Sequence, residues 1–595
     1  MLSPTNLLAR LRSKWLVLPS RSSSINPLAA PPTSPESSKE KSAEEGLDNN
    51  LNGWKLAGVV ISLNAANGVA SVDLLGVTAV LPAVSDHFTS GGNIAWAATT
   101  QLIGATVGLA VLGYLSDTWS RRKMLLISIS ILILSSLACA LSRYQSRTDL
   151  FSALRTCSGI ATGSISNLVN IAQNDFLPPA RRLKYQGVQG TSVALGSILG
   201  MMVGAVFASS SRWHFFYYFV AALAACSWLA IFLYVPANRK SPERDQIRAV
   251  VGTIDFWGIL SGTAFIVPGL LMLSKNSNLE RAVLIVLGTT SAISLALFLY
   301  LGFKGDRGTV RPIVPFELFR NRTIATVIVQ NIFLGAAYYT FNYYMPINLQ
   351  VVRELSPIKA SSYQVPYYIT HGVWSTASAL IILRLQRKGG RSYSLIFFAG
   401  FATWTIAMVA LAVDSEYPVS GVVIFLMVLV GIGTGSSFQN SVMAISAQAS
   451  IETRGLAVGT RNVLRFFGGA LGTAISSAVM RNRLLAEIPE GLVDFRLAAS
   501  TFSNAALERF NAEQADAVQH AYNNAITWVF GTAAIMVGVC FVLCPLIKDQ
   551  SQKQMQDEES GEKGHNTTHT DSGPGATSTD GAVLAEQTFP PQEKA

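Results

Sequence analysis

Between residues 54 and 547 the chain alternates long apolar runs with short polar stretches, and the runs lack the two-residue alternation of amphipathic strands. A window of about 19 residues finds fourteen such segments, the first near 56–82 and the last near 523–546. Each is long enough to cross the hydrocarbon core of a bilayer. Backbone polar groups in lipid can be satisfied only within helices or a closed barrel, so the pattern predicts an all-α polytopic membrane protein with fourteen spans. The flanks read differently. Residues 1–53 are rich in Ser, Pro and Ala, with no acid before Glu36, and 548–595 are rich in Gln, Glu, Gly and Thr; both are expected to be disordered tails. Leu7 to Ser24 has the Arg- and Ser-rich look of an organellar presequence, but a plain basic tail is the better reading.

Composition agrees. Half of the 595 residues are hydrophobic, only 13% are charged, and the mean hydropathy is +0.36, too charge-poor for a soluble enzyme of this length. The formal net charge of +10 lies in short clusters between apolar segments rather than on a continuous basic face, which excludes nucleic acid as a partner. None of the five cysteines, Cys139, Cys157, Cys226, Cys540 and Cys544, has metal-ligand spacing with a histidine, so no metal site is expected, and Cys540 and Cys544 read as packing residues one turn apart. No phosphate-cradling Gly-x-x-x-x-Gly-Lys-Ser/Thr loop is present, which leaves an ion gradient rather than a nucleotide as the energy source; no cofactor is expected.

With the N-terminus inside, the short inner loops carry twenty Lys and Arg against eleven outside, which predicts cytosolic termini. The outward loops after the first and eleventh spans carry only acids, Asp86, Asp414 and Glu416. The expected organisation is a six-helix half at 54–236, a linker with two inserted spans at 237–304, and a second six-helix half at 305–547 containing an outer, partly helical loop at 481–522. Arg384 to Arg391 weakly echoes the charged turn Gly113 to Lys123, as repeated halves would.

Two charges stand alone inside spans. Asp73, within Ser71 to Pro82, costs roughly 2.5–3.5 kcal/mol at a helix centre on insertion scales, so it is expected to face a partner or a cavity. Arg155 is the only basic residue inside the fourth span, at a depth that helical rise makes comparable with that of Asp73; an arriving proton or substrate would have to break such a pair.

The turn Gly113-Tyr114-Leu115-Ser116-Asp117-Thr118-Trp119-Ser120-Arg121-Arg122-Lys123 resembles the loop between the second and third spans of the major facilitator superfamily. The Asp73-to-Pro82 segment is similar to a pattern of its fourteen-span drug:proton antiporter branch, and Arg155 to Gly159 looks like its Arg-x-x-x-Gly motif. Gly196, Gly200 and Gly204 fall in the region of the antiporter motif, but Ser192, Ser197 and Met201 replace three of its residues, which puts the direction of coupling in doubt; close helix packing is the favoured reading of the stripe. Phe341 to Pro346, Gln364 to Tyr368 and Gly431 to Asn440 resemble fungal efflux pumps. The resemblance implies a two-half transporter, a proton-coupled exporter of a hydrophobic or amphiphilic small molecule such as a fungal secondary metabolite, toxin or drug. It implies Asp73 and Arg155 for coupling, and Gly113, Asp117, Arg121 and Arg122 for a cytosolic gate. The cavity wall is expected from Gln101, Tyr343, His371 and Asn440. A monomer in the plasma membrane is expected, with the vacuolar membrane as the alternative location; uptake or vacuolar transport of amino acids or siderophores, and a non-transporting receptor, are the alternative functions. Trp213 to Tyr217 read as an interfacial aromatic belt, and Arg461 and Arg465 as snorkelling to the membrane surface or binding lipid phosphate, with a role toward substrate as the alternative.

Overall fold

The computed structural model describes residues 54–88, 95–145, 147–176, 179–236, 255–274, 281–304, 312, 314–388, 391–413, 421–449, 453–488 and 511–549. The expected disordered tails lie outside these residues, save for the 548–549 edge of the second. The chain divides into two units, Met1–Ala57 and Gly58–Ala595. Of the first, only Trp54–Ala57 is described, as helical turn.

Among the described residues the regular structure is all helical, with no strand. The helices are α1 (Trp54–His87), α2 (Ala95–Thr118), α3 (Arg121–Leu141), α4 (Thr148–Phe176), α5 (Pro179–Ser209), α6 (His214–Tyr234), α7 (Phe256–Ser274), α8 (Arg281–Phe303), α9 (Arg322–Ile347), α10 (Pro357–Arg387), α11 (Tyr393–Val413), α12 (Gly421–Ser437), α13 (Asn440–Gln448), α14 (Arg454–Glu487) and α15 (Ala512–Leu543). Among the described residues, eleven helical segments are long and apolar enough to cross a membrane. α4 and α10 match them in length but interrupt their apolar surface with Asn, Gln, Ser and Tyr, many of them buried. Buried polar positions of this kind belong to a wet interior rather than to a lipid-facing surface.

Local chemistry explains the ends and breaks. Asn321 caps α9, its side chain accepting from the Thr323 and Ile324 N–H groups at 3.0 and 3.3 Å, and Asn511 and Gln514 form a capping box at the start of α15. Pro346 is followed by a π-turn at Asn348–Val352, where the widened helix ends before Glu354 with its positive φ of 51°. The predicted twelfth span, near 418–446, is two helices: the chain breaks at Phe438–Gln439 between α12 and α13. The two helices that flank the predicted outer loop both extend into it, α14 to Glu487 and α15 from Ala512.

Helices α2–α6 pack among themselves with α1 laid on α5 at Gly68 and Gly76, α9–α15 do likewise, and the two groups meet along α2 with α14 and α5 with α10. The α7–α8 pair lies beside the α2–α14 seam. Its outer helix α8 leaves Ile285, Val286, Ile293 and Phe303 exposed, as a lipid-facing surface requires. Glycine permits the tightest approaches. Gly200 sits where a Cβ would come within 2.6 Å of the Val72 carbonyl oxygen, so α5 rides directly on α1, and Ser192 donates to the Asn64 carbonyl on the same seam at 2.6 Å. The Gly196–Gly200–Gly204 stripe is thus a packing face.

Candidate functional site

The two lone charges meet. The Arg155 NH1 group donates to Asp73 Oδ1 at 2.7 Å, and its NH2 group donates to the Asp73 carbonyl at 3.2 Å. Both residues are completely buried. Gln101 of α2 closes the ring, donating from Nε2 to Asp73 Oδ2 at 2.9 Å while its Oε1 accepts from Arg155 NH2 at 2.5 Å. Ser158, one turn beyond Arg155 on the same face of α4, donates to Asp73 Oδ2 and lies 3.3 Å from Arg155 NH1. The Tyr217 ring of α6 stands 5.5 Å from the guanidinium carbon, a cation–π floor. Four helices therefore build one neutral, fully desolvated cluster, in which each partner answers the other's charge. Adding a proton to Asp73 removes the charge that holds Arg155 in place.

Two cavities lie beside this cluster, each walled by both helix groups. One, with room for about 20 Å³, is lined by Thr78, Gln101, Tyr339, Asn342, Tyr343 and Thr473 among others. The other, with room for about 30 Å³, is lined by Asn67, Ser71, Asn170, Gln189, Tyr338, Tyr339, Phe438 and Arg465, and shares Leu74 and Leu75 with the first. Gln101 thus faces a cavity on one side and the ion pair on the other.

The remaining expected wall residues fall in different places. Tyr343 lines the smaller cavity beside Gln101. His371 is buried, its Nδ1 hydrogen-bonded to Thr434 Oγ1 at 2.9 Å, against Tyr367 and against Tyr338 and Phe438, which line the larger cavity. Asn440 ties helices together, donating to Ser378 Oγ at 2.8 Å and to the Ser436 carbonyl at 2.9 Å. Neither His371 nor Asn440 lines these two cavities.

At the charged turn, Arg121 bonds Asp175 Oδ2 through Nε at 2.9 Å and Ser116 Oγ through NH1 at 2.5 Å. Arg122 donates to the Phe232 carbonyl at 2.5 Å and lies over the Phe232 ring at 4.7 Å. The Asp117 side chain lies outside the described residues. Gly113 is where a Cβ would come within 2.6 Å of Asn167 Nδ2, and Asn167 in turn accepts from Asn462 of α14 at 2.9 Å, a direct tie between the helix groups.

Two expectations are corrected. Arg461 and Arg465 do not snorkel: they are 1% and 4% exposed, because their shared face of α14 turns inward onto Phe438. The supposed belt is mostly a buried cluster, in which Trp213, Phe216 and Tyr217 sit under 4% exposure and Trp213 packs on Phe88 and Phe151; Phe215 alone of the aromatic rings in that segment is exposed.

A bundle of membrane-crossing helices in two groups around cavities of mixed polarity, with a charge pair sealed behind one of them, is the architecture of a membrane transporter. The model of the Major Facilitator Superfamily matches residues 63–473, and the chain belongs to that family. Among curated proteins it is similar to "Citrate exporter 1" of Yarrowia lipolytica, 27% identical over 83% of this chain and 74% of that one. It is also similar to "Efflux pump dotC" of Dothistroma septosporum, 26% identical over 82% and 84%, and to the "Acurin A biosynthesis cluster MFS-type transporter" of Aspergillus aculeatus, 28% identical over 84% and 91%. Of solved structures, a D-xylose-proton symporter shares the fold with a TM-score of 0.55 at 13% identity, over 83% of this chain and 98% of that one. The protein is a multi-pass membrane transporter and not an enzyme.

Proposed function

We propose that the chain is a proton-coupled exporter of an amphiphilic organic small molecule, with Asp73 as the proton-carrying group and Arg155 as its partner. The observation that carries the reading is the buried 2.7 Å Asp73–Arg155 pair, linked to a cavity through Gln101. A solute that engages Gln101 disturbs the hydrogen bonds the amide makes to both charges, and a proton on Asp73 does the same from the other side. Competition for one cluster is the simplest physical basis for exchange. Aromatic walls broken by a few directional polar groups suit amphiphilic solutes. Outward transport is supported by the relatives, whose names include an exporter and efflux pumps.

On this reading fourteen helices span the membrane with both termini cytosolic, the two six-helix halves at 54–236 and 305–547 rock about the cavities, and the inserted pair at 237–304 rides beside them. The Gly113–Arg122 turn, with Asp117, latches the cytosolic side through Arg121 and Arg122. The protein acts as a monomer in the plasma membrane. The test is accumulation of a panel of labelled lipophilic compounds in proteoliposomes under an imposed pH gradient. At least one compound is expected to concentrate with the gradient and to leak out when a protonophore is added; accumulation indifferent to the protonophore overturns the coupling.

A further inference from the structure

The interior holds more positive charge than the coupling cluster accounts for. Asp73 neutralises Arg155, but Arg461 and Arg465, one turn apart on α14, have no carboxylate within ion-pair distance among the described residues. Arg461 is held by neutral acceptors, Asn462 Oδ1 and Ser441 Oγ at 2.6 Å each and the Phe438 carbonyl. Arg465 has only ring faces, with its guanidinium carbon 4.3 Å from the Phe438 centroid and 4.8 Å from that of Phe466. Its Nε has no acceptor, it is 4% exposed, and it lines the larger cavity. On the opposite wall Asn67 presents a buried Nδ2 that also lacks an acceptor.

Two like charges on one buried helix face repel each other, and an uncompensated buried cation is costly. A chain that keeps such a cation at a cavity wall, over the faces of two rings rather than beside an acid, has left the counter-charge to come from the cavity's occupant. A guanidinium presents paired donors that match a carboxylate bidentately, and the two rings beside Arg465 offer its donors no acceptor atom.

We infer that the larger cavity binds the carboxylate of an amphiphilic organic anion on Arg465. Arg461 is a positioning residue that adds to the local potential from one turn below, and Tyr339, which lines both cavities, places the anion's apolar body next to Gln101. The inference rests on the transporter reading above and names its substrate class.

The test is equilibrium binding to the full-length protein in detergent, at one pH and with no gradient, of three matched probes: 2-naphthoate, 2-naphthamide and 2-naphthylmethylammonium. The wild type is expected to prefer naphthoate. Arg465→Gln is expected to weaken naphthoate about 10- to 100-fold, the size of a lost charge-assisted hydrogen-bonded pair, and to leave the amide unchanged, while Arg465→Lys recovers part of the loss. Unliganded Arg465→Gln is also expected to melt at or above the wild-type temperature, because an unpaired charge has been removed. No preference for naphthoate in the wild type, an equal loss for the amide, or a clear fall in the melting temperature of the unliganded variant overturns the inference. Naphthoate bound through Arg465 but indifferent to a pH gradient in vesicles sinks the proton-coupling reading and leaves this one standing; gradient-driven export of the amide with no naphthoate preference does the reverse.

Discussion

Arg155→Met is the perturbation with the most to reveal. The side chain donates to Asp73 Oδ1, the Asp73 carbonyl, Gln101 Oε1 and Ser158 Oγ, and neither it nor Asp73 has any exposure to solvent. Removing it leaves a buried carboxylate with only the Gln101 amide and the Ser158 hydroxyl, and breaking such a pair costs about 3–5 kcal/mol. Asp73→Asn strands the guanidinium instead and is expected to cost a similar amount. The double variant Asp73→Asn with Arg155→Met buries no charge, and its cost is expected to lie below either single one, giving a coupling energy of at least about 3 kcal/mol. The assay is unfolding of the purified protein in mixed micelles titrated with a denaturing detergent. All three variants are expected to lose gradient-driven transport even where stability returns. Additive stability losses would refute the reasoning, as would gradient-driven transport by the double variant.

Three further outcomes follow from single contacts. Gly200→Ala is expected to destabilise by about 1–3 kcal/mol, because the new Cβ meets the Val72 carbonyl oxygen at 2.6 Å, whereas Gly421→Ala, with nothing within 4 Å, is expected to be neutral in the same unfolding titration. Asn167→Ala removes the acceptor of the 2.9 Å bond from Asn462, worth about 1 kcal/mol, and is expected to shift the equilibrium at that end of the bundle about fivefold towards separation. Spin labels at Lys123 and Gly455 would report the shift as a larger long-distance population. Asp549→Ala removes a carboxylate that accepts from the Ser392, Tyr393 and Ser394 N–H groups at 3.0, 3.0 and 3.2 Å, and is expected to cost about 1 kcal/mol, read as faster hydrogen exchange in the first turn of α11.

Much of this was legible in the chain because membranes punish exceptions. Asp73 and Arg155 stood out as single charges in apolar runs, and their pairing followed from depth. Gln101 was placed on the cavity wall, where it does sit, but its second role in clasping both charges depended on the angle between α1, α2 and α4, which no one-dimensional pattern encodes. The pattern gives Ser158 no role, although its three-residue spacing from Arg155 carries a signal, and it reads Tyr217 as part of an interfacial belt rather than as the ring beside Arg155. Arg461 and Arg465 were misplaced because a basic pair near a span's end looks the same whether its face turns to lipid headgroups or inward. The neighbouring Asn462 and the break at Phe438–Gln439, which puts a ring and an accepting carbonyl beside them, decide for the interior. His371 and Asn440 rest on polar type within segments that resemble efflux pumps, and neither separates a wall residue from one that ties two helices together.

The most direct test of the central claim separates exchange from concentration in one variant. Proteoliposomes carrying wild type or Asp73→Asn would be measured for exchange of a labelled substrate across the membrane without a gradient, and for its net accumulation with one. If Asp73 carries the proton, the variant exchanges substrate and does not concentrate it, while the wild type does both. If the variant concentrates substrate as the wild type does, the buried pair is only a structural clasp and the coupling account is contradicted.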